Sequence, residues 1–170
     1  MRRLRYNVAA SLDGFIADAN HAHDWLTMDA SIDFTALFAQ FDTFVMGRKT
    51  FDTLRAQGDS HPTKGGEVIV FSRTLNPSDF PTARITSEDP AAIVRDLKQR
   101  PGKDIWLFGG GDLFRQLLDA GEVDAIEVAL MPILLSAGIP ILRAGGHARP
   151  LRLTHSRPLS SGIVMLEYAT

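Results

Sequence analysis

The spacing of apolar and polar residues changes repeatedly along this chain, and each change marks a predicted element. Residues 5–12 ("RYNVAASL") read as a strand, stopped by Asp13-Gly14. Residues 17–30 are polar without a clear period and read as a long loop. In residues 33–41 ("DFTALFAQF"), Phe34, Leu37, Phe38 and Phe41 recur at helical spacing. Residues 43–46 ("TFVM") read as a short buried strand ending at Gly47, and residues 49–56 as a helix. "EVIVF" (67–71) is a further strand, and Ile85 ends another. A helix is expected from Pro90 to Leu97, with Asp89 as its N-cap and proline in its first turn. Residues 105–108 read as strand and 112–119 as helix. Residues 125–131, 151–156 and 163–168 read as strands.

Strands alternating with helices predict an α/β fold with a mainly parallel sheet covered on both faces. No helix separates the last two strands. "PLSSG" (158–162) suits a hairpin turn, so an antiparallel C-terminal hairpin is expected at the sheet edge. Repeats, low-complexity tracts and linkers are absent, and residues 1–170 are assigned to a single domain.

Composition narrows the class. Hydrophobic residues are 45% and charged residues 22% of the chain, an ordinary globular balance. The formal net charge of -2 gives no basic field for nucleic acid or an anionic membrane. There is no cysteine, which excludes disulfides, thiolate nucleophiles and cysteine-ligated zinc and suits a cytoplasmic location. Arg2, Arg3 and Arg5 resemble the basic start of a signal peptide, but Asn7, Ser11 and Asp13 break the apolar stretch that follows. No run approaches the roughly 20 apolar residues of a membrane span.

Three strand ends carry candidate chemistry. Gly109, Gly110 and Gly111 stand between an apolar strand and an amphipathic helix. Glycines there let a ligand approach the backbone, and the helix N-terminus favours an anion; a tight turn without ligand explains them equally well. The spacing is not that of the G-x-G-x-x-G dinucleotide fingerprint. "VMGRKTF" (45–51) repeats the strand-glycine-helix pattern and adds Arg48 and Thr50, while "VFSRT" (70–74) ends a strand in Ser72 and Arg73. Singly, each is commonly a helix cap or a solvated arginine. Together they place three phosphate-capable ends on one parallel sheet, where ligands bind at the carboxyl ends of strands. Several phosphates suggest a dinucleotide, and two arginines suggest an extra phosphate.

"AASLDGFIA" (9–17), "VMGRKTF", "VFSRT" and "LFGGGDLFRQLL" (107–118), in this order, resemble the dihydrofolate reductase superfamily. The branch most similar contains the reductase domain of riboflavin biosynthesis, and the resemblance spans nearly the whole chain. It implies a dihydrofolate reductase-like fold with eight mainly parallel strands, and NADPH as hydride donor. By matched position, Ala9 and Ile16 would contact the nicotinamide end. Gly47, Arg48, Lys49 and Thr50 would hold phosphates and the 2′-phosphate ribose, and Ser72 and Arg73 would flank the adenosine 2′-phosphate. Gly109, Gly110 and Gly111 would approach the pyrophosphate and nicotinamide, with a cis bond at Gly109-Gly110, and Asp112 and Leu113 would follow at the helix start.

For the substrate half, the resemblance implies an acidic residue that holds the heterocycle and assists its protonation. Asp33 is the match, with Asp29 as rival and helix capping as the alternative role of Asp33. A carboxylate beside an apolar wall of Trp25, Phe34 and Phe38 would have a raised pKa. Trp25 matches a substrate-loop tryptophan; otherwise it anchors the loop. Three departures bear on the substrate. Ala129 replaces a threonine that supports the acid in folate reductases, and Phe114 replaces a tyrosine near the nicotinamide. "MPILLSAGIPIL" (131–142) instead resembles the riboflavin-type branch, yet Phe108 stands where that branch carries an acid for the substrate's sugar. The reading is an NADPH-dependent reductase of a small pteridine- or aminopyrimidine-like heterocycle or related C=N or C=O compound. The alternatives are a true dihydrofolate reductase, a 5-amino-6-(5-phosphoribosylamino)uracil reductase, or a nucleotide-binding module without turnover. "HAHD" (21–24) lacks a nearby fourth ligand and reads as a mobile active-site loop, with no metal expected. The apolar "MPILLSAGIPIL" (131–142) suggests a homodimer contact.

Overall fold

A computed structural model describes residues 1–56, 58, 63 and 65–170. Among the described residues, ten strands run in chain order: β1 (Leu4–Ser11), β2 (Phe15–Ala17), β3 (Phe41–Gly47), β4 (Glu67–Phe71), β5 (Arg84–Thr86), β6 (Asp104–Gly109), β7 (Ala125–Met131), β8 (Ile139–Pro140), β9 (Arg152–Pro158) and β10 (Val164–Ala169). The helices are α1 (Phe34–Phe38), α2 (Arg48–Ala56), α3 (Pro90–Gln99) and α4 (Gly111–Asp119). Eight strands form one sheet in the order β5-β4-β3-β6-β1-β7-β10-β9. Strands β5 to β7 pair in parallel, and β10 pairs antiparallel with both β7 and β9, so the expected C-terminal hairpin is present. Its turn closes through Leu159 N to Ile163 O at 2.8 Å.

Both faces of the central strands are covered, which is why those strands read as nearly continuous apolar runs. On one face Tyr6, Val45, Ile69 and Leu107 pack under α3 and α4, whose Val94, Leu97, Leu113 and Leu117 point inward. On the other, Phe44, Met46, Val70 and Trp106 pack under Phe51 and Leu54 of α2. Asp89 caps α3, accepting from Ala91 N and Ala92 N, and Pro90 opens its first turn as expected.

Two local expectations are corrected. The helix expected over 33–41 is only one turn and a half, because its last aromatic belongs to β3. Phe41 is buried, its ring 4.8 Å from that of Trp106, with the Arg5 guanidinium 4.5 Å from its centre. A five-residue helix with no buried residue has little stability of its own, so tertiary burial of Phe41 decides where it stops. Second, a small sheet of β2 and β8 lies where none is predicted. These strands are three and two residues long, too short for periodicity to register. Gly138 permits their approach: a Cβ there would stand 2.1 Å from the carbonyl oxygen of Ala17. The 131–142 segment, expected as a homodimer contact, is partly covered within the chain. Met131 is buried, Ile139 pairs with β2, and Ile141 and Leu142 pack against the core, while Leu134 stays exposed. Among the described residues, no helix is long and apolar enough to cross a membrane.

Candidate active site

The carboxyl ends of the parallel strands open into a cleft of about 820 Å³. Its floor is backbone. β3 ends at Gly47 and α2 begins with the next residue; β6 ends at Gly109, and Gly110 caps α4 without a side-chain hydrogen bond. The two turns face each other so closely that a Cβ on Gly47 would lie 3.9 Å from Gly110 N. The Gly109-Gly110 bond is cis, as the resemblance implies. Gly109 has φ of +128°, a conformation that side chains rarely tolerate, whereas Gly110, at φ −97°, is ordinary extended backbone. The positional demand for glycine therefore falls on Gly109.

Cationic side chains rim this floor. Arg48 is oriented by Thr74, whose hydroxyl accepts from its guanidinium at 2.7 Å, and more loosely by Asp52 at 3.4 Å. Ser72 holds the same turn: its hydroxyl accepts from Thr74 N at 3.2 Å and Leu75 N at 3.1 Å. Lys49 and Arg73 line the cleft without side-chain partners among the described residues. Both carboxylates of the lining are already paired, Asp112 with Arg143 and Glu88 with Arg84. The field left over is positive and aimed at a side-chain-free cradle, so the residues present fit a phosphate-bearing ligand.

Of the candidates from the sequence, Ile16, Gly47, Arg48, Lys49, Thr50, Ser72, Arg73, Gly110, Gly111, Asp112 and Leu113 all line this one cleft. Ala9 does not; it sits half-buried on β1, in register with Ala129 of β7. Gly109 lies just behind the lining. His21 and His23, in the segment expected as a mobile active-site loop, do line it, on a turn braced by Asp18, while Glu88 and Arg143 also line it and were missed. Glu88 follows a strand end and was legible in principle. Arg143 reaches the cleft only because β8 pairs with β2.

The substrate-side candidates gather elsewhere. Phe34 and Phe38, the first and last residues of α1, stand 5.9 Å apart between ring centres. Phe38 continues to Trp106 at 5.7 Å and Trp106 to Phe108 at 5.2 Å, giving a ladder of rings that ends beside the glycines. Asp33 caps α1: its Oδ1 accepts from Ala36 N at 2.9 Å, and its side chain is exposed. Trp25 donates from Nε1 to Ala22 O at 3.2 Å, bracing its own loop. Asp29 is buried and accepts from Ser31 N, Ser31 Oγ and Ser161 N. Hydrogen bonding to Ser161 and then Ser31 holds its carboxyl well below the usual carboxylate range. The raised pKa expected of an acid beside an apolar wall is thus not found at Asp29, which is fastened as an anion between the loop and the β9–β10 turn. Behind the ladder, Glu127 accepts from Arg5 and Asn7, at 2.5 Å and 2.6 Å. Among the described residues, no group of three potential metal ligands comes together.

Comparison with known proteins places this arrangement. The family model described as the RibD C-terminal domain matches residues 2–165. The chain is similar to the uncharacterized protein YyaP of Bacillus subtilis (strain 168), at 34% identity over 98% of this chain and 94% of that one. It is 26% identical to the riboflavin biosynthesis protein RibD of Mycobacterium tuberculosis (strain ATCC 25618 / H37Rv), over 79% of this chain and 43% of that protein. In structure it resembles a putative riboflavin biosynthesis protein from Shewanella sp. PV-4, with a TM-score of 0.85 and 24% identity over 99% and 98% of the two chains. A pyrimidine reductase-like protein of Corynebacterium diphtheriae NCTC follows at a TM-score of 0.68 and 17% identity, over 99% and 91% of the two chains. The expected dihydrofolate reductase-like fold is the observed one.

Proposed function

Because the chain belongs to the RibD C-terminal domain family, we propose that it is an NADPH-dependent reductase acting on a small flat heterocycle of pteridine or aminopyrimidine type, or on a related C=N or C=O compound. The observation that carries this reading is the cleft itself: Lys49 and Arg73, which have no side-chain partners among the described residues, and the tethered Arg48 surround two facing glycine turns at the carboxyl ends of β3, β4 and β6. When bound, the nicotinamide nucleotide supplies the hydride.

The chain's own contribution is binding, orientation and a proton. Arg48, Ser72 and Arg73 hold the adenosine 2′-phosphate, and the backbone of Gly110 and Gly111 meets the diphosphate at the start of α4. Ile16 bounds the nicotinamide end. Phe34, Phe38 and Phe108, half-buried and backed by the buried Trp106, give a flat substrate rings suited to offset stacking. Of the two acids, Asp33 is the proton source. Asp29 is committed as an anion to three donors, whereas the cap of α1 uses only Oδ1 of Asp33 and leaves its other oxygen without a partner among the described residues.

The test is NADPH oxidation, followed at its absorbance, across pterins, aminopyrimidines with and without a phosphoribosyl group, and dicarbonyls. Turnover of at least one class supports the reading. Dinucleotide binding with no turnover of any class leaves a nucleotide-binding module, and absence of dinucleotide binding removes the reading altogether.

A further inference from the structure

We propose that His21 and His23 are a further part of the nucleotide site and bind the ligand's phosphates in their protonated state, so that dinucleotide affinity rises as pH falls through the imidazole range. This rests on the nucleotide reading above and deepens it. Both residues line the cleft. Their loop is braced from within. Asp18 Oδ1 accepts from Asn20 N at 2.7 Å and Ala22 N at 2.8 Å. Asp18 N donates to Ala22 O, and His21 N donates to Asp18 O, each at 3.1 Å.

The product is a closed turn that holds His21 at φ +64°, a region few residues other than glycine enter. Such conformations persist only where the surroundings impose them. The surroundings here are the turn and β2, which β8 clamps from the other side. The imidazoles are therefore delivered to the cleft by an anchored element.

The permanent cations of the cleft come from other elements: Arg48 and Lys49 from α2, Arg73 from the end of β4, and Arg143 from the segment after β8. Its carboxylates, Glu88 and Asp112, have arginine partners. Within the histidine loop itself, Asp18 gives one oxygen to the turn, and Asp24 is exposed next to His23. A diphosphate entering the cleft thus meets two imidazoles beside the fixed cations, and imidazole is the side-chain type that can gain a charge under mildly acidic conditions where arginine and lysine do not change.

The experiment is calorimetric titration of NAD⁺ and NADP⁺ into the full chain from about pH 8 to about pH 5.5, repeated on the double variant His21→Asn/His23→Gln and on His23→Lys. Asparagine is chosen at position 21 because it tolerates positive φ. NAD⁺ is the decisive ligand, since a phosphate monoester such as the 2′-phosphate titrates near pH 6 and adds a slope of its own. The unmodified protein is expected to bind NAD⁺ about fivefold more tightly at the acidic end, from rim contacts that each contribute modestly. The double variant is expected to lose this slope, and His23→Lys to bind at the alkaline end more tightly than the unmodified protein. A double variant that keeps the full slope overturns the inference while leaving the nucleotide reading intact. Failure of the unmodified protein to bind either dinucleotide at any pH overturns both.

Discussion

Replacing Arg48 by alanine is expected to separate NADP⁺ from NAD⁺. The guanidinium is preset: Thr74 accepts from it at 2.7 Å, and Asp52 lies on its other side at 3.4 Å. A charge-assisted hydrogen bond contributes about 1.5–3 kcal/mol when well enclosed. The side chain is 52% exposed, so solvent screening reduces that to about 1–2 kcal/mol. At about 1.4 kcal/mol per tenfold, NADP⁺ affinity should fall about 5- to 30-fold. NAD⁺ lacks the 2′-phosphate and should lose less than about twofold on the same arithmetic. Thr74→Val keeps the charge and removes its tether, and is expected to give an intermediate loss for NADP⁺ alone. Calorimetry with both nucleotides reads the difference directly. Raising the salt concentration should shrink it, because an exposed ion pair is screened. Equal losses for NADP⁺ and NAD⁺ would falsify the assignment of Arg48 to the 2′-phosphate.

Asp33→Asn preserves a good helix cap and removes the ionisable proton, so hydride transfer to the true substrate should slow by about 10²–10⁴-fold, with NADPH affinity unchanged. Stopped-flow rates at the level of the unmodified protein would return Asp33 to capping alone. Gly109→Ala should destabilise the fold by about 1–3 kcal/mol in urea unfolding. Gly110→Ala should fold normally, since its Cβ would meet Thr50 Oγ1 at an ordinary 3.5 Å, and should instead weaken dinucleotide binding from the floor of the cleft. Asp29 has a depressed folded-state pKa, so its contribution to stability is present above the ordinary carboxylate pKa of about 4 and disappears as pH falls below it. Asp29→Asn should accordingly melt lower than the unmodified protein at neutral pH, with the gap closing in acid; a gap independent of pH would show that its hydrogen bonds do not depend on the charge.

Much of the cleft was legible because its parts are local. A strand, a glycine and a helix start are contiguous in sequence, so "VMGRKTF" and "LFGGGDLF" carried their geometry with them, and eleven of the thirteen candidate positions line the cleft. The parallel sheet and the terminal hairpin were equally accessible, since both follow from the alternation of element types and from the length of connections. The substrate side was not legible to that extent. Whether Asp29 or Asp33 has a free carboxylate oxygen depends on Ser161, 132 residues away from Asp29, arriving on the β9–β10 turn. No spacing in the 20s and 30s of the chain encodes that meeting.

The sequence by itself determined which of the longer segments become strands and helices, and which strand ends carry phosphate-compatible backbone and charge. The physical reason is that periodicity, caps and glycine turns are properties of neighbouring residues. Only the tertiary structure decided where α1 stops, that β8 crosses to β2 and brings Arg143 to the cleft, and that the loop carrying His21 and His23 is a turn braced at Asp18. Those outcomes turn on burial and hydrogen bonding between residues distant in sequence or within a nonperiodic loop, such as the Phe41 ring beside Trp106 and the backbone of Gly138 against Ala17. Energies of that kind exist only once the chain has closed on itself.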